Sequence, residues 1–392
     1  MSAAPTTSAE HHLKQASGDG MASLAAAPTV DRVKFLNGGA FFDDTRRDVE
    51  RYLADPRTRR SGYLRLHLKA PIAIGLSVVS WVLLVVVQPP LALALPCLAG
   101  LVIGVLLTGF NVQHDANHGS YFTQRRYNHL LGWTSDTILG ISSHAWRVKH
   151  NVAHHTYTNV DGYDEDIQQT PVVRLAPSQP TRPWYRFQHI YIWFLYSFMG
   201  IRWQLFGDLK AFVQRSVGRH TLRIPSGWNL AALLVGKAVF LAWAVAVPMF
   251  FYPWWLVLLA YVGFMMITSF VMATTFQLAH CVEEATFASP AQAGVGEREW
   301  AVHQVETTVD FCPENKVLTW ALGGLNFQIE HHLFPGVPHT HYPAIAKIVH
   351  ENCIKHGVRH VTQPSLRAAL RSHFRHLRHM GHLGVPVHIE MG

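Results

Sequence analysis

The chain has 392 residues, of which 49% are hydrophobic and 15% charged, and its mean hydropathy is +0.10. That balance is too apolar and too thin in charge for an ordinary soluble domain, and it points to a polytopic membrane protein. The formal net charge of +8 suits cytoplasmic loops beside anionic lipid, so it calls for no nucleic acid partner.

Residues 1–35 are rich in Ala, Ser and Thr, and no basic region leads directly into an apolar stretch. They are expected to be a disordered tail rather than a signal peptide. The membrane domain is expected over 36–350. From Ala70 to His114 there is no Asp, Glu, Lys or Arg, and Gln88-Pro89-Pro90 divides this stretch into two segments. Each is near the roughly 20 residues that cross a hydrocarbon core, so a helical hairpin is predicted over about 70–110. Just past it lie His114 and His118, four apart and hence on one face of a helix.

The stretch 111–228 is read as part of a cap outside the bilayer. His150, His154 and His155 repeat the four-residue relation and add a neighbour about 100° round the helix. Such a group is costly to bury without metal, because each ring needs a partner of the correct tautomer. The acidic run Asp161, Asp164, Glu165, Asp166 follows and could orient those rings through their second nitrogens. Gln188 to Gly200 is apolar but short for a span, so it is expected to lie in the interface.

A second hairpin is predicted over about 229–276, divided near Phe251–Trp255, with Trp228, Trp254 and Trp255 as interfacial aromatics. Lys237 falls inside its first span and is expected to snorkel to the nearer interface. His280 follows the fourth span, and 279–350 completes the cap. There, Gln328, His331 and His332 reproduce the earlier spacing with glutamine leading. Gln328 is expected at the metals either as a ligand through its amide oxygen, a poorer one than imidazole, or by hydrogen bonding behind the ligands. Glu330 is not in an H-E-x-x-H arrangement, and the zinc-protease reading fails on that spacing. Residues 351–392 read as a basic, His-rich tail, with His373, His376, His379 and His382 on its surface and His376→Ala silent. His144, His339 and His341 have no partner at ligand spacing and are left outside the site.

The two short turns carry no Lys or Arg, whereas Arg57, Arg59, Arg60, Arg65 and Lys69 flank the first span. The positive-inside rule therefore puts both termini and the cap in the cytoplasm, and all the histidine clusters on one side of the membrane. Cys97, Cys281, Cys312 and Cys353 form no C-x-x-C pair, which fits a reducing compartment without disulfides. The fold class is thus an all-α integral membrane protein, four transmembrane helices in two hairpins under a helical cap. Eight imidazoles, His114, His118, His150, His154, His155, His280, His331 and His332, exceed what one ion can use, so two metals are expected. Ligand type alone leaves Zn, Cu, Fe and Ni open.

The order H-x-x-x-H, H-x-x-x-H-H, Q-I-E-H-H around two apolar hairpins resembles the membrane fatty acid desaturases, and the third motif resembles their front-end branch. The resemblance covers roughly residues 40 to 350. It extends through His150-Asn-Val-Ala-His-His-Thr-Tyr-Thr-Asn159 and Gly323-Gly-Leu-Asn-Phe-Gln-Ile-Glu-His-His-Leu-Phe-Pro335. It implies a non-haem diiron centre on those eight histidines, using O2 and two electrons to remove two hydrogens from adjacent methylenes of a fatty acyl chain. No His-Pro-Gly-Gly tetrapeptide of a fused cytochrome domain occurs, and few residues precede the first span. A separate electron donor is implied, ferredoxin as for the bacterial and cyanobacterial delta-6-type enzymes, with the protein in a bacterial inner membrane. The competing readings are a hydroxylase on the same scaffold, a dizinc lipid hydrolase, and a metal carrier.

Overall fold

A computed structural model describes residues 34–36, 38–289 and 298–383. The predicted N-terminal tail lies outside these residues up to position 33. From Phe35 onward the described residues form one unit.

Helix α1 (Ala40–Leu53) is amphipathic and lies on the cap. Asp55 then caps α2 (Pro56–Val82), its carboxylate accepting from Arg57 N at 3.2 Å and Thr58 N at 3.1 Å, with Pro56 in the first turn. Both features favour a helix start: the carboxylate pairs free N–H groups, and proline lacks the N–H that would go unpaired. A π-helical turn, Leu83–Val87, ends this helix at Gln88, whose φ of 56° reverses the chain before Pro89 and Pro90. Helix α3 (Leu91–Leu107) returns, continues through a second π turn (Thr108–Gln113) and ends in α4 (His114–His118). α2 and α3 can pack closely because Gly104 has no side chain: a Cβ there would meet Ser77 N at 2.7 Å.

The first part of the cap contains α5 (Arg125–Leu139), α6 (Ser143–Arg147), α7 (Gln188–Tyr196), α8 (Met199–Arg202) and α9 (Asp208–Gln214), then the strand pair β1 (Ser216–Val217) and β2 (His220–Thr221). Neither α7 nor α8 is long enough to cross a bilayer. The second hairpin is α10 (Gly227–Leu241) with its short extension to Phe250, and α11 (Trp254–His280). The two hairpins meet through Trp81 Nε1, which donates to Trp243 O at 2.8 Å, and Tyr252 OH, which donates to Leu84 O at 2.6 Å.

Among the described residues, four segments are long and apolar enough to cross a membrane: Pro56–Val87, Leu91–His118, Gly227–Phe250 and Trp254–His280. The remainder of the cap is α12 (Trp300–Thr307), α13 (Lys316–Ala321), α14 (Gln328–Leu333), α15 (Tyr342–His356) and α16 (Leu366–His382). Strands β3 (Asp310–Phe311) and β4 (Thr362–Gln363) pair in parallel. The expected all-helical architecture therefore stands, with two minor strand pairs.

Two expectations are revised. Lys237 does not stand alone: it ion-pairs with Asp208 at 2.8 Å and donates to Gly140 O at 2.6 Å and Gln204 O at 3.1 Å. The span is held to the cap by this charge, because a paired ammonium in a partly buried site is cheaper than a free one. Nor do residues 351–392 begin as a polar tail, since position 351 falls within α15 and α16 packs against the cap. His373 and His376 are buried, with His373 Nδ1 donating to Cys281 O at 2.6 Å and His376 Nε2 donating to Leu175 O at 2.9 Å. They share one helix face with Ala369, Ser372 and Met380, whereas His379 and His382 are exposed as expected.

Candidate metal centre

Each histidine cluster is set by the element that carries it. α3 and α4 are continuous through the Thr108–Gln113 turn, so His114 and His118 stand at the C-terminal end of one long helix. Helix α6 runs directly into a third π turn, Val148–His154, in which His155 N bonds to His150 O at 3.0 Å. A π turn closes five residues apart rather than four. The turn therefore brings His155 beside His150 as well, their Nε2 atoms 3.2 Å apart. The expected neighbours His150 and His154 also stay together, ring centroids 5.3 Å apart, with candidate ligand atoms of both and of Asp166 within 4.8 Å of one another.

All eight rings are brought together. His114, His118, His150 and His331 form one set and His154, His280 and His332 another, with the candidate ligand nitrogens of each set within 4.8 Å of one another. His155 joins them, its ring centroid 4.6 Å from His331 and 4.3 Å from His332. All are buried or nearly so. Burial, followed by the neighbouring imidazoles, holds His150, His155, His331 and His332 well below the ordinary histidine range. They are neutral, with a lone pair free. Burial would also depress His154, but Asp164 and Asp166 outweigh it and raise that ring.

The second nitrogens have partners of a definite kind. His154 Nδ1 donates to Asp164 Oδ2 at 3.1 Å, and His332 Nδ1 donates to Gln304 Oε1 at 2.8 Å, which leaves Nε2 of each ring with its lone pair. Of the acidic run, Asp164 and Asp166 face the site, Asp166 standing 3.6 Å from His154 Nδ1. Asp161 instead accepts from Gln168 and Gln179, and Glu165 accepts from Gly218 N. Gln328 points its amide at the second set, 3.0 Å from His280 Nε2 and 3.5 Å from His332 Nε2. Asn159, at φ 56°, donates to the carbonyls of His280, Thr286 and Thr307 and so fixes where α11 ends.

Three neighbours were missed in the sequence. His339 is buried, and its Nδ1 donates to Asp115 Oδ2 at 2.8 Å while Lys69 Nζ lies 2.8 Å from its Nε2. Asp115 sits between His114 and His118, so this chain of contacts backs the first histidine pair. The available signal was the acid inside the first motif, which needs a partner once buried. Trp146 packs its ring 4.4 Å from His150 and 5.4 Å from His118, closing that side. Tyr342 OH lies 3.4 Å from His331 Nδ1. Of the other histidines left outside the site, His341 bonds Tyr52 OH at 3.2 Å, and His144 donates to Arg223 O at 2.9 Å.

Several of the gathered nitrogens have no protein partner: both of His114, Nε2 of His118 and His331, and Nδ1 of His155 and His280. Buried polar atoms are nearly always paired, and an unpaired one costs about 1–3 kcal/mol. Two rings sharing one ion at about 2.1 Å would hold their nitrogens about 3 to 3.4 Å apart. The 3.2 Å between His150 and His155 meets that spacing. The donor set is compatible with a metal site.

Comparison with known proteins agrees. The family model for fatty acid desaturases matches residues 88–364. The sn-1 linoleoyl-lipid 6-desaturase of Arthrospira platensis is 36% identical over 350 residues, covering 88% of this chain and 94% of that protein. The enzyme of the same name from Synechocystis sp. is 35% identical over 359 residues, covering 90% and 99%. An acyl-lipid (8-3)-desaturase of Physcomitrium patens is 38% identical over 277 residues, covering 70% and 57%. With a match over most of its length and two relatives covered almost end to end, this chain belongs to the fatty acid desaturase family.

Proposed function

We propose that the chain is a front-end acyl-lipid desaturase whose cap faces the cytoplasm of a bacterial inner membrane. The observation that carries this reading is the convergence of eight imidazoles from four separate segments of the chain, in two sets, beside the ends of apolar helices. In this reading His114, His118, His150 and His331 hold one iron, His154, His280 and His332 the other, and His155 stands between them. Gln328 is a hydrogen-bonding neighbour of the second set.

When bound, such a pair of iron ions supplies, with O2, the oxidising power that no side chain has toward an unactivated methylene. The balance is two hydrogens taken from adjacent methylenes and two electrons from a donor, with O2 and two protons leaving as two waters. The chain does the rest. Asp164 and Gln304 take the Nδ1 protons of His154 and His332 and hold those rings by their outer nitrogens. Trp146 and the packed cap keep bulk water from the rings. The acyl chain is expected to run in an apolar passage between the four helices and the cap, its head group at the interface. Electrons are expected from a separate ferredoxin, drawn by the basic cap.

The relatives named as acyl-lipid and linoleoyl-lipid desaturases support a substrate carried on a lipid. The test is to express the chain in cells supplied with fatty acids of differing unsaturation and to locate double bonds in the lipids. The expected product has a new double bond between an existing one and the carboxyl end, and none forms with His154→Ala. A hydroxylated product, or lipid cleavage that needs no O2, would replace the proposal with one of its rivals.

A further inference from the structure

The third histidine motif carries an acid that the proposed chemistry does not use. Glu330 is fully buried, and its oxygens meet no donor other than the neighbouring carboxyl of Asp310. It lies against Asp310, also buried, in strand β3. The parallel pairing sets Asp310 opposite Thr362, and Asp310 N bonds to Val361 O at 3.3 Å. This draws the preceding residue, His360, alongside. His360 Nε2 is buried and without a partner, although the residue as a whole is half-exposed. One atom from each of Asp310, Glu330 and His360 comes within 4.8 Å of the others.

We propose that Asp310, Glu330 and His360 form a further metal site, apart from the eight histidines, that takes a divalent transition ion such as zinc. Two buried carboxylates side by side repel, and water is not there to screen them. A doubly charged cation makes the group neutral and gives partners to the Glu330 oxygens and the His360 nitrogen at once. Two oxygens and one imidazole nitrogen are a usual donor set for zinc and leave a fourth position open. The half-exposed His360 side gives the ion a way in. Asp310 Oδ1 already accepts from Ile329 N at 3.0 Å, at the start of α14. The ion therefore ties the helix bearing His331 and His332 to the chain ahead of β4, which makes its role structural.

The full-length protein, purified in detergent and loaded with excess Zn2+, is compared with His360→Ala by elemental analysis after desalting. The variant is expected to hold one equivalent fewer per chain while eluting as the wild type does. Glu330→Gln, which keeps side-chain volume, is the second variant, with the same loss expected, and serves if His360→Ala does not fold. Equal zinc content in the wild type and in whichever variant folds would overturn the site and leave the two carboxyl groups sharing a proton. Because zinc is counted directly, this result is independent of whether the eight histidines hold iron or the chain desaturates lipid.

Discussion

Asp164 and His154 form a carboxylate–imidazole pair, Oδ2 to Nδ1 at 3.1 Å, and the same oxygen accepts from Asn159 N at 2.9 Å. One carboxylate thus orients a ring of the second histidine set and secures the residue that anchors the end of α11. Partners of this kind typically contribute 10- to 100-fold in metal affinity. Asp164→Asn keeps the shape and removes the charge. It should hold metal about 10- to 100-fold more weakly, read by chelator competition. Unchanged retention would show that Asp164 is a loop residue and no more.

Metal-free protein should be acid-sensitive. Burial holds His303, His360 and His373 down to about 4 and His376 to about 3, with His150, His155, His331 and His332 also well below normal. In the unfolded chain these rings take protons near pH 6.5, so below that the unfolded state binds more protons than the folded one. Stability is then fully present above about pH 6.5 and falls as the pH is lowered toward 4. A thermal midpoint of the chelator-treated protein that stays level between pH 7 and pH 5 would contradict this.

His376→Ala, silent if that residue were on the surface, should instead cost about 1–3 kcal/mol. It leaves Leu175 O unpaired in a buried place and opens a cavity beside Phe287, whose ring stacks on His376 at 4.9 Å. The measurement is the midpoint of thermal unfolding in detergent. Activity per folded molecule should hold, because the residue touches none of the eight rings.

Gly323→Ala should disrupt the site from a distance. Gly323 has φ +60°, and a Cβ there would lie 2.3 Å from Phe110 O, in the π turn that leads to His114. Left-handed backbone is strained for alanine, and a main-chain oxygen cannot rotate aside. The expected result is lower metal content in whatever protein folds, with Gly336→Ala, which meets nothing within 4 Å, as the neutral comparison.

Much of this was legible in the chain because the chemistry is written in residue types. The uncharged stretch from Ala70 to His114 marked the first hairpin, and the histidine doublets marked the centre. What stayed hidden depended on winding and pairing. Nothing in Val148–His154 announces a π turn, so the approach of His155 to His150 at 3.2 Å could not be read from a four-residue spacing. Lys237 looked solitary because its partner, Asp208, is on another helix. His339 lacked a histidine at ligand spacing, yet its partner Asp115 is more than two hundred positions away. His373 and His376 were counted as polar and therefore exposed, although Ala369, His373, His376 and Met380, spaced four, three and four apart, follow the pattern of a buried face.

The wide turn at Val148–His154 makes winding a functional quantity here. Let the same residues wind as an ordinary helix, and all eight imidazoles are still present. But His155 would swing away from His150 by roughly a quarter of a revolution, and the link between the two sets would open. An engineer grafting this motif onto a regular helix would copy every letter and lose the geometry, unless the wide winding were carried over as well.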